Sequence, residues 1–159
     1  MMNAVYAGSF DCYTNGHHDI VKKAAVLFDR LYIVIAVNSE KRRRYPAELM
    51  QTAIARTLEN DGLTNCTVCI HDGVVADFCI ESDIGYTIRG LRNRMDYDYE
   101  ENIAAVNKLI APNLETVYFR ADNNGISSSL IAELSKYRKD FSGLVPPAVN
   151  ELLLQCESE

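Results

Sequence analysis

"NAVYAGSFDCYTNGHHDIVKKAAVLFDRLYIVIAVN", residues 3–38, decides how the chain must fold. Residues 3–8 form a short apolar, β-branched and aromatic run, and residues 31–38 form a second; both read as strands. Between them Ile20, Val21, Ala24, Ala25, Leu27 and Phe28 recur at helical spacing, after a glycine-containing polar turn. A strand, a turn, a helix and a second strand make a right-handed crossover, so the two strands run parallel. "LYIVIAVN" is almost continuously apolar, as a strand covered on both faces must be.

Working outward, the same alternation continues. Further strands are expected at 66–71, 85–90 and 115–121. Helical spacing recurs at Leu49, Ile54 and Leu58, then at Val74, Val75, Phe78 and Cys79, and then at Met95, Tyr99, Ile103, Val106 and Ile110, with Pro112 marking an end. Two C-terminal helices follow, one from about Ser127 to Tyr137 and one after Pro146-Pro147. The expected class is α/β: a Rossmann-like, doubly wound, five-stranded parallel sheet with C-terminal helices, in one domain spanning residues 1–159.

Composition narrows the function. With 159 residues and 48% apolar content, the chain can bury a core without disulfides or metal. A formal charge of -6 argues against a nucleic-acid or membrane-surface binder, because such binding is built on net positive surface. The expectation is a cytoplasmic protein with neither a signal peptide nor a membrane span. The five cysteines are irregularly spaced. Cys66 and Cys69, three apart in a strand, point to opposite faces and cannot share a metal, and no metal site is expected.

Ligands of such sheets bind outside the carboxyl ends of the strands. Those ends are followed here by Gly8-Ser9-Phe10, by Asn38 to Lys41, by Asp72 to Val75, by Arg89 to Arg92, and by Asp122 to Ser129. Glycines, hydroxyls and cations gather on one edge, which predicts a phosphate-rich ligand. Gly16 allows close approach of backbone, and the helix start offers free N–H groups and the positive dipole end. His17 sits in that first turn and can donate to a phosphate oxygen as charge builds; position alone equally allows a histidine that only decorates a helix end. His18 projects about 100° further around the helix and cannot serve the same phosphate.

Thr14-Asn15-Gly16-His17 resembles the (T/H)xGH signature of the nucleotidylyltransferase superfamily, and Ile126-Ser127-Ser128-Ser129 resembles its second signature. Ile88-Arg89-Gly90-Leu91-Arg92, followed by Asp96 to Glu100, is similar to a stretch of the bacterial phosphopantetheine adenylyltransferases. The resemblance implies transfer of AMP from ATP, carried with magnesium, to 4'-phosphopantetheine, giving dephospho-coenzyme A and pyrophosphate. It also implies a homohexamer. Carried over by position, His17 would stabilise the transition state. Ser9, Lys41, Val75 and Arg89 would contact the phosphopantetheine, with Arg42 the fallback for Lys41. Ser9, Phe10, His17, Gly90, Leu91, Arg92 and Glu100 would line the ATP side, joined by Asn123, Asn124, Gly125 and Ile126 to Ser129.

Each assignment has a plainer reading. Arg89 and Arg92 could pair with Asp96 or Glu100, the serines could be simple N-caps, and residues 41–44, "KRRR", could be a nucleic-acid patch rather than an anion-recruiting rim. The chain also departs from the family pattern. Cys12 stands where proline is usual, and is expected to be a thiol near ATP activated by the helix start. "RADNNG" is a shortened adenine loop, and "YPAELM" is an altered second helix. Two alternatives stay open: another superfamily member, such as a nicotinate-mononucleotide adenylyltransferase or a cytidylyltransferase, and a non-catalytic nucleotide sensor.

Overall fold

A computed structural model describes residues 1–122 and 125–159. Five parallel strands, β1 (Asn3–Gly8), β2 (Arg30–Val37), β3 (Cys66–Asp72), β4 (Tyr86–Leu91) and β5 (Glu115–Arg120), lie in the order β3-β2-β1-β4-β5. The central β1 pairs with β2 from Asn3↔Arg30 to Gly8↔Ile35, and with β4 from Ala4↔Tyr86 to Tyr6↔Ile88. The first two crossovers carry the chain outward to β3, and the next returns it to the far side of β1. The crevice at the carboxyl ends of β1 and β4 is therefore the topological switch point.

The period of two along each strand builds two cores. Ala4, Tyr6, Leu31, Ile33 and Ile35 face one side, where they meet α1 (Asn15–Leu27), α2 (Ala47–Asn60), α5 (Ser128–Lys136) and α6 (Pro147–Ser158) through Ile20, Met50, Ile54, Ile131 and Val149. Val5, Ala7 and Val34 face the other, packed on Ala76, Cys79 and Ala111 around α3 (Val75–Glu81) and α4 (Arg94–Ile110). Cys66 joins the first core and Cys69 the second, as strand alternation requires, and the cysteines are free thiols.

Helix α4 differs from what its apolar spacing suggests. Met95, Tyr99, Val106 and Leu109 are exposed, and Glu100 is the buried residue of the helix. Strand bounds differ from the expected ones by at most one residue at either end. No helix of the described residues is long and apolar enough to cross a membrane.

Candidate active site

Two cavities open at the switch point. One, of about 310 Å³, is lined by Tyr6, Phe10, His17, Gly90, Arg92 and Ile126 among others; its neighbour, about 660 Å³, is lined by Lys41, Val75, Ser129 and the 42–44 run among others. Ala7, Gly8, Ser9, Arg89 and Ser128 border both. The chain thus builds two compartments with one shared wall.

The wall begins at the end of β1. Phe10 turns back with φ +42° and buries its ring. A side chain at Gly8 would lie 3.3 Å from that ring, so only glycine fits the turn without displacing it. Thr14 then opens α1: its hydroxyl accepts from the His17 N–H at 3.3 Å, and its own N–H donates to His17 Nδ1 at 3.0 Å, a reciprocal cap. A backbone N–H can only donate, so Nδ1 carries no proton and the neutral ring holds its proton on Nε2.

Burial first, and then the charges of Arg92 and Arg89, depress the His17 pKa from 6.5 to about 4. Near neutral pH the imidazole is therefore an uncharged donor. Tyr13 stacks on it at 5.7 Å and Phe10 meets it edge-on at 5.0 Å, which fixes the ring plane. His18 has a different task. Buried, it bridges the Tyr13 hydroxyl (3.0 Å) and the Asp61 carboxylate (2.7 Å), and it does not reach the cavity, as the helical offset requires.

Arg89 stands at the end of β4. Its Nε and Nη2 donate to the Glu100 carboxylate at 2.6 and 2.9 Å, and Nη1 donates to the Ala7 carbonyl at 2.8 Å. Burial disfavours the Arg89 cation, but the hydrogen bonds and charge of Glu100 outweigh it and raise its pKa above the ordinary value. Arg92 is more exposed and pairs with Asp96 at 3.1 Å. The plain ion-pair reading of these two arginines is therefore real, yet both still line the first cavity.

Other expected residues fall into three groups. Ser9, Phe10, His17, Gly90, Arg92, Glu100, Ile126, Ser127 and Ser128 line the first cavity, and Ser9, Lys41, Arg42, Val75, Arg89, Ser128 and Ser129 the second. Leu91 and Gly125 line neither: Leu91 is spent in the sheet, its carbonyl accepting from Ala121, and Gly125 is exposed. Asn123 and Asn124 lie outside the described residues. Ser127 is the N-cap of α5, accepting from Leu130 N–H at 3.1 Å, while Ser128 donates to the Cys12 carbonyl at 2.6 Å. Ser127 thus caps α5 itself, while Ser128 ties the α5 start to the loop after β1, and both line the first cavity.

The expectation for Cys12 is overturned. Its side chain is buried in the core rather than presented to the cavity, and burial pushes the thiol up to about 12, so it is a poor nucleophile. Tyr13 was not singled out by position along the chain, Arg43 was read only as one of four cations, and Thr14 was named in the signature without a task of its own; all three build the site. Thr14 carried a usable signal, a hydroxyl three residues before a side chain able to close the cap.

A model of the cytidylyltransferase-like family matches residues 5–134. Phosphopantetheine adenylyltransferase from Shouchella clausii (strain KSM-K16) is 36% identical over 155 residues, 96% of each chain. The enzyme of that name from Streptococcus pyogenes serotype M5 (strain Manfredo) is 40% identical over 148 residues, 91% of this chain and 90% of the relative. A crystal structure assigned as a nicotinate-nucleotide adenylyltransferase from Vibrio parahaemolyticus superposes with a TM-score of 0.73, covering 100% of this chain and 97% of the other. At 17% identity that likeness speaks for the fold.

Proposed function

This chain belongs to the phosphopantetheine adenylyltransferase family, and from that membership we propose how it acts: it transfers AMP from ATP to 4'-phosphopantetheine, releasing pyrophosphate, in coenzyme A biosynthesis. The observation that carries the reading is the shared wall: Ser9, Arg89 and Ser128 border both cavities, so two anionic substrates can meet across one turn. ATP occupies the His17 side and phosphopantetheine the Lys41 side.

An oxygen of the acceptor phosphate attacks the α-phosphorus of ATP, and the bond from that phosphorus to the bridging oxygen of the β-phosphate breaks as pyrophosphate leaves. The acceptor is already largely ionised near pH 7, so no base is required and no covalent enzyme intermediate forms. What remains is to align two anions and neutralise the charge that builds. Lys41 and Arg89 draw the acceptor phosphate in, the Ser9 turn separates the two groups, and the Nε2–H of neutral His17 donates to the developing charge. Arg92, with Gly90 and Glu100, borders the nucleotide. The free N–H groups of Asn15 and Gly16 remain at the α1 start, since the cap already uses that of His17.

Magnesium enters as part of the ATP substrate. Magnesium of this kind is bound chiefly by the substrate's own phosphates, and Glu100 is held by Arg89. The chain works in the cytoplasm as a homohexamer, an assembly supported by the exposed Met95, Tyr99, Val106 and Leu109 of α4, which association would cover. Sedimentation of the purified protein tests that mass.

The deciding assay is pyrophosphate release from ATP and magnesium with 4'-phosphopantetheine, with nicotinate mononucleotide, and with no acceptor. Strong preference for phosphopantetheine is expected, and release without that preference refutes the assignment.

A further inference from the structure

The cationic run Lys41 to Arg44 is split by the structure. Lys41, Arg42 and Arg44 are exposed, whereas Arg43 turns inward. Its Nη1 donates to the Ser9 carbonyl at 2.6 Å, its Nη2 to the Phe10 carbonyl at 3.4 Å, and its Nε to the Tyr45 carbonyl at 3.1 Å. In return, the Asp11 carboxylate accepts from the Arg44 N–H at 2.7 Å and the Tyr45 N–H at 2.9 Å, and lies 3.9 Å from Arg43 Nη2. The loop after β1 and the loop after β2 are stapled to each other from both sides.

We infer that Arg43 is a positioning residue of the transfer reaction, fixing the Ser9–Phe10 turn and holding the Lys41 loop in register with it. The inference rests on the adenylyl-transfer reading above. The Ser9 carbonyl and the Phe10 N–H share one planar trans peptide and point to opposite sides, so anchoring the first on Arg43 aims the second away from it. Phe10 holds a left-handed backbone that a non-glycine residue rarely adopts, and the same guanidinium secures the carbonyl that follows it. Lys41 lies two residues before Arg43, so one planar group sets the distance between the acceptor cation and the turn that separates the substrates. Lysine, a point charge, cannot span three carbonyls.

Arg43→Lys therefore separates geometry from charge, and Arg43→Ala with added guanidinium supplies a rescue. Both variants are assayed beside the unaltered protein for kcat and for KM of each substrate, with hydrogen exchange at the Arg44 and Tyr45 amides. Because small misplacements of reacting groups cost large factors in rate, kcat is expected to fall about 10-fold or more in both, with each KM within about threefold. Guanidinium, but not methylammonium, restores part of the rate of Arg43→Ala, and both amides exchange faster in both variants. An unaltered kcat in Arg43→Lys overturns the inference, as does a loss confined to the KM of phosphopantetheine, which would make Arg43 a substrate contact. If Arg43→Ala does not fold, Arg43→Lys decides. If the unaltered protein shows no turnover, the adenylyl-transfer reading fails, and undiminished protection of the two amides in Arg43→Lys overturns the clamp separately.

Discussion

Replacing His17 gives a measurement of the site that does not depend on turnover. In the folded protein its pKa lies near 4, against an ordinary 6.5, because burial and then Arg92 and Arg89 oppose its charge. Between those two values the unfolded chain binds a proton that the folded chain refuses, so unfolding becomes easier as pH falls through this window. At ~1.36 kcal/mol per pKa unit, the folded state forfeits about 3 kcal/mol between pH 6.5 and pH 4 on account of this one ring. Above pH 6.5 the ring contributes nothing to the pH dependence. Protonation of Nδ1 would also break the bond from Thr14 N–H, which acts in the same direction. His17→Gln removes the titration while keeping an amide donor, so its stability should fall less steeply over the same pH range. The assay is urea unfolding at half-unit steps from pH 4.5 to 7 for both proteins, with the His17 ring followed by NMR. Parallel pH–stability curves, or a ring that titrates near 6.5, would refute the reasoning. In turnover, His17→Ala should lose about 10²-fold or more in kcat with ATP binding largely kept, the scale of a lost oxyanion donor.

Thr14→Ala should lower stability by about 1 kcal/mol, as removal of an N-cap does, while Thr14→Ser keeps it; chemical unfolding distinguishes the two. Glu100→Gln leaves the Arg89 guanidinium half-buried without its carboxylate, and should cost about 3 kcal/mol or more, part of it recovered by inorganic phosphate in a thermal-shift titration. Cys12 should resist iodoacetamide at pH 7.5 whether or not ATP is present, and peptide mass spectrometry reads this directly; rapid labelling of the folded protein would contradict its burial. Gly8→Ala should reduce activity more than stability, because the displaced Phe10 ring packs on His17; paired kinetics and melting curves test the split.

Most of the architecture was legible because it follows from periodicity. The β1 run at residues 3–8 is the strand Asn3–Gly8, and the opposite faces assigned to Cys66 and Cys69 are those they occupy. The gathering of glycines, hydroxyls and cations at strand ends likewise placed Ser9, His17, Lys41 and Arg89 around one crevice. What stayed hidden depends on contacts between distant segments. Nothing local says which of four consecutive cations turns inward, because the choice of Arg43 is made by carbonyls at the end of another strand. Cys12 was misread because nearness in sequence to a helix start suggested activation, whereas the path of the turn buries the thiol among Tyr13, Tyr45 and other core side chains. Leu91 was taken as lining because its neighbours line, yet it is the last residue of β4, where its carbonyl is engaged by the Ala121 N–H, and it borders neither cavity.

The partition between the two cavities also sets what a competing molecule can gain. A single compound that fills both has to pass the wall that Ala7, Gly8, Ser9, Arg89 and Ser128 share, so its tether is short and its second half binds at an effective concentration on the order of millimolar. Two weak fragments joined there multiply their affinities. Because the Ser9 turn is clasped by Arg43 rather than free to adjust, such a tether must match the existing gap; one that is too long loses the advantage.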